Sequence, residues 1–231
     1  MKYIIKVIDA KDLNDVVVDH SLVPLRVLEN VQMIVIETDD DTLIKNLRED
    51  VRVSYVTLEK TRKPLVVDIS EPQKLTTPPD DTSHPSTTVG YVDGVWEFYG
   101  HLELMNSLDY GDNLDYHEIN PTKTGEGVDV YVIDSGVNFD HPNLSGRVNR
   151  CPGFDLNLND AEDRGTSSSH GTYCSLCVGG LSCGIAPDVE FYSLRVFPDD
   201  QGASSSDIVF AIECIIAHHN SKTNGNSSVI N

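Results

Sequence analysis

The run Val128-Asp129-Val130-Tyr131-Val132-Ile133-Asp134 restricts the fold of this chain more than any other stretch. β-Branched and aromatic side chains fill it almost without interruption, so both faces of the strand must be covered, as in a parallel sheet. A second strand of this kind spans Val189 to Phe197, and Val229 opens a third. Between them Ser204 to His218 reads as a helix, with Ser206 or Asp207 to cap it and a broad apolar stripe through Ile208, Ala211, Ile212 and Ile215. Strand, helix and strand in alternation imply right-handed crossovers and an α/β sheet clothed on both sides. Ser135-Gly136 ends the first strand and leaves the Asp134 carboxylate at its C-terminal edge, where open α/β sheets gather their ligand sites. Taken alone, the stretch fits equally well with an aspartate that only caps a turn.

A second motif gives that carboxylate a partner. His170-Gly171-Thr172 opens a short helical run through Tyr173, Cys174 and Cys177 to Gly180. A serine hydroxyl is a poor nucleophile at neutral pH and needs a base whose pKa lies near the working pH, a role that imidazole fills. An ionised carboxylate on the other ring nitrogen fixes the tautomer and stabilises the imidazolium formed during attack. With Asp134-Ser135-Gly136 after a buried strand and His170-Gly171-Thr172 at a helix start, the chain resembles the subtilisin-like serine proteases, the subtilases. The flanks agree: Gly125 to Val128 before the strand, His141-Pro142 and Leu144 after it, and Gly184-Ile185-Ala186-Pro187 beyond the helix.

The resemblance implies a subtilisin-like three-layer α/β fold with a parallel sheet, of which this chain carries the N-terminal part. It implies serine endopeptidase activity on polypeptide substrates, with Asp134 as the orienting acid and His170 as the general base. The nucleophile serine expected far C-terminal to the histidine is absent from this chain. Gly165-Thr166-Ser167 has the letters of the nucleophile motif but precedes His170 in a polar stretch and is rejected. The chain alone is therefore expected to be inactive. Ser169 departs from the glycine that many members carry before the histidine. Cys174, one helical turn beyond His170, is shared with the proteinase K-like branch.

Two other readings compete with an enzyme. One is a non-catalytic relic that acts as inhibitor or folding chaperone through its N-terminal domain. The other is a zinc-binding module: His170, Cys174 and Cys177 fall at i, i+4 and i+7, so a helix puts an imidazole and two thiols on one face, with Cys183 near in sequence.

Residues 1–60 carry their own pattern. Strands are expected over Tyr3–Ile8, Pro24–Leu28, Val31–Thr38 and Val51–Glu59, and helices over Ala10–Val18 and Asp41–Asp50. That order makes a small α+β unit with a split βαβ sheet, a ferredoxin-like arrangement. Standing before a subtilase segment, it resembles the inhibitor-type propeptides of that family, an intramolecular partner whose tail lies in the substrate groove. Residues 61–95, rich in proline, serine and threonine, read as a linker. Residues 96–231 form the protease part, with a short helix expected over Leu102–Leu108.

Composition narrows the partners. The 37 acidic residues against 17 basic give a net charge of −20, which argues against a nucleic-acid backbone or an anionic membrane. Such a surplus raises calcium as a cofactor, yet Asp39-Asp40-Asp41 and Asp199-Asp200 lack the alternation and glycine of a calcium loop, and no metal is assigned. No signal peptide or transmembrane segment is visible, so localisation stays open. The five cysteines, Cys151, Cys174, Cys177, Cys183 and Cys214, are odd in number and lean toward a reducing compartment.

Overall fold

Alternation along the central strand sets the layers of the C-terminal part. The computed structural model describes residues 1–62, 90–92, 95–97, 124–144, 146–156, 170–181, 184–197 and 202–231. The expected helix over Leu102–Leu108, most of the linker and Gly165-Thr166-Ser167 lie outside them. The N-terminal elements are β1 (Lys2–Val7), a 3-10 turn (Ala10–Asp12), α1 (Leu13–Asp19), β2 (Pro24–Leu28), β3 (Met33–Glu37), α2 (Asp41–Glu49), β4 (Val53–Leu58) and β5 (Thr61–Arg62). A hairpin of β6 (Gly90–Val92) and β7 (Val95–Glu97) follows. Then come β8 (Val128–Asp134), β9 (Val148–Arg150), α3 (His170–Gly179), β10 (Glu190–Arg195), β11 (Ala203–Ser204), α4 (Ser205–Ser221) and β12 (Ser227–Ile230).

Strands β12, β8, β10 and β9 lie side by side in that order, every pair parallel. Val130 and Val132 of β8 join Val137, Leu144 and Phe191 in a core against Leu176 and Val178 of α3. Tyr131 and Leu194 point the other way, into a core with Ala211, Cys214 and Ile215 of α4. One helix therefore covers each face, which is the three-layer arrangement expected. Ser204 rather than Ser206 or Asp207 caps α4, its hydroxyl accepting from Asp207 N–H at 3.1 Å.

The N-terminal sheet is antiparallel with spatial order β2-β3-β1-β4. Tyr3, Ile5, Val7, Ile34 and Ile36 meet Leu13 and Val16 of α1 and Ile44 and Leu47 of α2 in one core, so both helices share a face. Asp40 starts α2 by accepting from Thr42 and Leu43 N–H at 2.8 and 3.0 Å. Two of the boundaries that differ from the sequence reading have a local cause. Asp9 accepts from Lys11 N–H and tightens the first turn after β1, so the α-helix proper begins at Leu13. Gln32 takes φ 54, which turns Val31 out of the ladder and starts β3 at Met33.

The two parts meet along α4. Arg26, which shares a sheet face with its register partner Val35, reaches Asp207 at 2.6 Å and lies over the Phe210 ring at 4.6 Å. The Glu213 carboxylate accepts from the Asn30 N–H, the Asn30 side-chain amide and the Val31 N–H at 2.9, 2.8 and 2.9 Å. Glu59 hydrogen-bonds the Ser206 hydroxyl. Thr61 and Arg62, inside the segment read as linker, pair antiparallel with Ser204 and Ala203.

Behind the sheet, Lys222 at the end of α4 donates to Asp129 at 2.7 Å and to Ser228 at 2.8 Å, and Asn226 donates to Asp129 at 2.9 Å. The side chains of Lys222 and Asp129 are 6% and 1% exposed, so neither charge has water to fall back on. Lys222→Met should leave a buried carboxylate unpaired and cost about 3–5 kcal/mol in urea unfolding. A loss below about 1 kcal/mol, the scale of a surface pair, would contradict that role.

Candidate active site

Parity along β8 decides which way the strand-end carboxylate points. Asp134 is an even-numbered neighbour of Val130 and Val132, so it faces α3, the helix that begins at His170. The His170 Nδ1 lies 2.9 and 2.8 Å from the two oxygens of Asp134. A carboxylate only accepts, so Nδ1 carries the proton and Nε2 is left with a lone pair. Asp134 is 8% exposed, while the His170 side chain is 44% exposed. A buried acid behind a half-open imidazole can hold the ring without competing for substrate.

Several backbone contacts fix that pair. Ser135 N–H donates to the Asp134 carboxylate at 2.6 Å. Gly171 N–H, at the start of α3, donates to the Ser135 hydroxyl at 3.1 Å, and Asn138 N–H donates to the Thr172 hydroxyl at 2.9 Å. The two motifs thus clip to each other reciprocally. Gly136 takes φ 102, which a side chain would strain. Val196 N–H and Phe197 N–H, just past β10, donate to the Asp134 main-chain carbonyl at 2.9 and 3.3 Å. At the other end of α3, Arg147 donates to the carbonyls of Gly179 and Asn143 at 2.7 and 2.8 Å and to that of Val189 at 3.1 Å. No local pattern in the sequence marks Arg147 for this task; the signal is only a lone arginine between apolar positions.

Residues 125–231 match the family model described as the subtilase family. That segment is similar to the subtilisin-like serine proteases. It is 30% identical to alkaline protease 2 of Aspergillus fumigatus over 118 residues, 51% of this chain and 23% of that protein. It is 38% identical to the subtilisin-like serine protease Cur l 4.0101 of Cochliobolus lunatus over 95 residues, 41% of this chain and 18% of that protein. The chain thus spans less than a quarter of the length of these curated relatives. The crystal structure of fervidolysin from Fervidobacterium pennivorans, a keratinolytic enzyme related to subtilisin, shares the fold with a TM-score of 0.53 at 19% identity. That match covers 86% of this chain and 30% of the other.

Within this subtilisin-like segment the thiols differ sharply. Cys151, Cys174, Cys177 and Cys214 are all free. Burial pushes Cys151 up to about 12 and Cys214 up to about 11, so both remain neutral thiols of the core facing α4. Cys174 sits one turn along from the histidine, its sulfur 3.7 Å from His170 Nδ1 and 3.9 Å from Nε2. Burial first, then the Asp134 charge, raises its pKa. Cys177 is exposed and stands outside the Asp134, His170 and Cys174 group. The helical i, i+4, i+7 set therefore does not converge, because the third position lies about 10 Å along the helix axis from the first. No described helix is long and apolar enough to cross a membrane.

Gly171 tests how tightly α3 is seated. A Cβ there would stand 2.2 Å from the Gly136 carbonyl oxygen and 3.1 Å from the Asp134 Cβ. Backbone, not a flexible side-chain tip, blocks it. Gly171→Ala should destabilise the chain by about 1–3 kcal/mol and lengthen the Asp134–His170 hydrogen bond. Thermal unfolding and a crystal structure of the variant check both, and an unmoved pair would contradict the account.

Proposed function

We propose that this chain carries the acid and the base of a serine endopeptidase acting on polypeptides, and that the Asp134–His170 hydrogen bond is the observation that supports it most directly. Asp134 selects the Nδ1–H tautomer and holds the ring. His170 Nε2 then takes the proton of an attacking serine hydroxyl, and the imidazolium that results is stabilised by the carboxylate before it protonates the leaving amine. No serine of residues 1–231 is assigned as the nucleophile. The protein in which this chain stands together with a nucleophile serine is the one to assay. There His170→Ala should lower kcat on a peptide substrate by roughly 10⁴- to 10⁶-fold with little change in KM. Undiminished hydrolysis in that variant would refute the assignment.

The N-terminal unit is proposed to be a ferredoxin-like, inhibitor-type propeptide that docks on the same polypeptide. Support comes from the Glu213 carboxylate that accepts from Asn30 and Val31, and from the short ladder between Thr61-Arg62 and Ala203-Ser204. An extended tail paired to that edge occupies backbone groups a substrate strand would need. Glu213→Ala should free the Val31 N–H and speed its hydrogen exchange roughly tenfold. Unchanged protection of Val31 would show that the domain is held some other way.

A further inference from the structure

The carboxylate of Asp134, the imidazole of His170 and the sulfur of Cys174 offer ligand atoms that all lie within 4.8 Å of one another, and among the described residues they are the one such group. The three differ in softness. An oxygen, a nitrogen and a sulfur donor converging from a strand end and the first turn of a helix suit a borderline-soft divalent cation, with water in the fourth position. Calcium and magnesium, which demand oxygen ligands throughout, do not suit it. The helix itself explains the convergence. His170 and Cys174 stand at i and i+4 on α3, and the close seat of Gly171 on Gly136 brings that face against Asp134.

We infer that Asp134, His170 and Cys174 form a site for a zinc-class divalent cation, and that its occupation excludes His170 from acting as a base. The exclusion follows from the tautomer. Nδ1 is the nitrogen nearer to both partners, 2.9 and 2.8 Å from the Asp134 oxygens and 3.7 Å from the Cys174 sulfur, against 3.9 Å for Nε2. A cation bound at Nδ1 displaces its proton, so the neutral ring must carry its proton on Nε2 instead, and Nε2 becomes a donor. Cys174 ligates as the thiolate and gives its proton to solvent, so one proton is released for each cation bound. No electron transfer is involved. The regulatory half of this inference rests on the acid–base reading proposed above; the binding half does not.

Cadmium serves as the probe, because a cadmium–thiolate bond absorbs in the ultraviolet. Titrating the full chain with cadmium should give one equivalent of charge-transfer absorbance, and zinc should compete it away. Cys174→Ser should abolish the band, Asp134→Asn should weaken binding by about tenfold or more, and Cys177→Ser should leave it unchanged. A band of equal affinity in Cys174→Ser, or one lost only in Cys177→Ser, would overturn the site. A second measurement needs no variant: zinc added to the chain labelled with nitrogen-15 histidine should shift His170 Nδ1 to the coordinated range and leave the proton on Nε2. An unmoved His170 signal at saturating zinc would equally overturn it. Neither readout involves peptide hydrolysis, so failure of the endopeptidase reading would leave cation binding intact, and failure of cation binding would leave that reading standing.

Discussion

Everything at the site depends on the two-residue period of one strand. β8 is buried on both faces, and its even positions, Val130, Val132 and Asp134, look toward α3. Because Asp134 closes that series, the core that fixes the valines also aims the carboxylate. A shift of register by one residue would send the acid into the layer beneath α4 and the aromatic Tyr131 toward the histidine. The hydrophobic pattern that specifies the sheet therefore specifies the acid's direction, and no separate device is required for it.

The histidine needs more than a pattern. Its helix must approach the Gly136 turn to a distance that a methyl group would forbid, and the two motifs hold that approach by exchanging hydrogen bonds through Ser135 and Thr172. Arg147 pins the far end of α3 to three carbonyls, so the helix cannot slide along its axis without losing charge-assisted bonds. On the opposite face, α4 is shared between two tasks. Its apolar stripe supports the sheet, while Asp207 and Glu213, with Phe210 at the edge of that core, engage Arg26, Asn30 and Val31. One helix thus links the state of the N-terminal unit to the sheet that carries the acid.

How much of this was legible follows from which interactions are local. The parallel strands, the apolar stripe of α4 and the partnership of Asp134 with His170 rest on periodicity and on motifs with flanks, and these survive in the letters. Cap choice at α4 and the late start of α1 were not readable, because a side-chain bond from Ser204 or Asp9 shifts a boundary without altering composition. The pairing of Thr61-Arg62 with Ala203-Ser204 joins segments far apart in sequence, so no window could contain it. Helical spacing also suggested that Cys177 faces the histidine. Cys177 does stay near that face, but seven residues at about 1.5 Å each carry it roughly 10 Å along the axis from His170, and the helix leaves it exposed. Asp134, which comes from another element altogether, takes its place beside Cys174.

The central claim is that a buried carboxylate holds His170 in the Nδ1–H tautomer. Proton NMR of the chain labelled with nitrogen-15 histidine reads this directly. The account predicts a strongly deshielded proton bonded to His170 Nδ1, present in the unmodified chain and gone in Asp134→Ala. A His170 ring protonated on Nε2 alone, or an Nδ1 proton indifferent to the loss of Asp134, would contradict it.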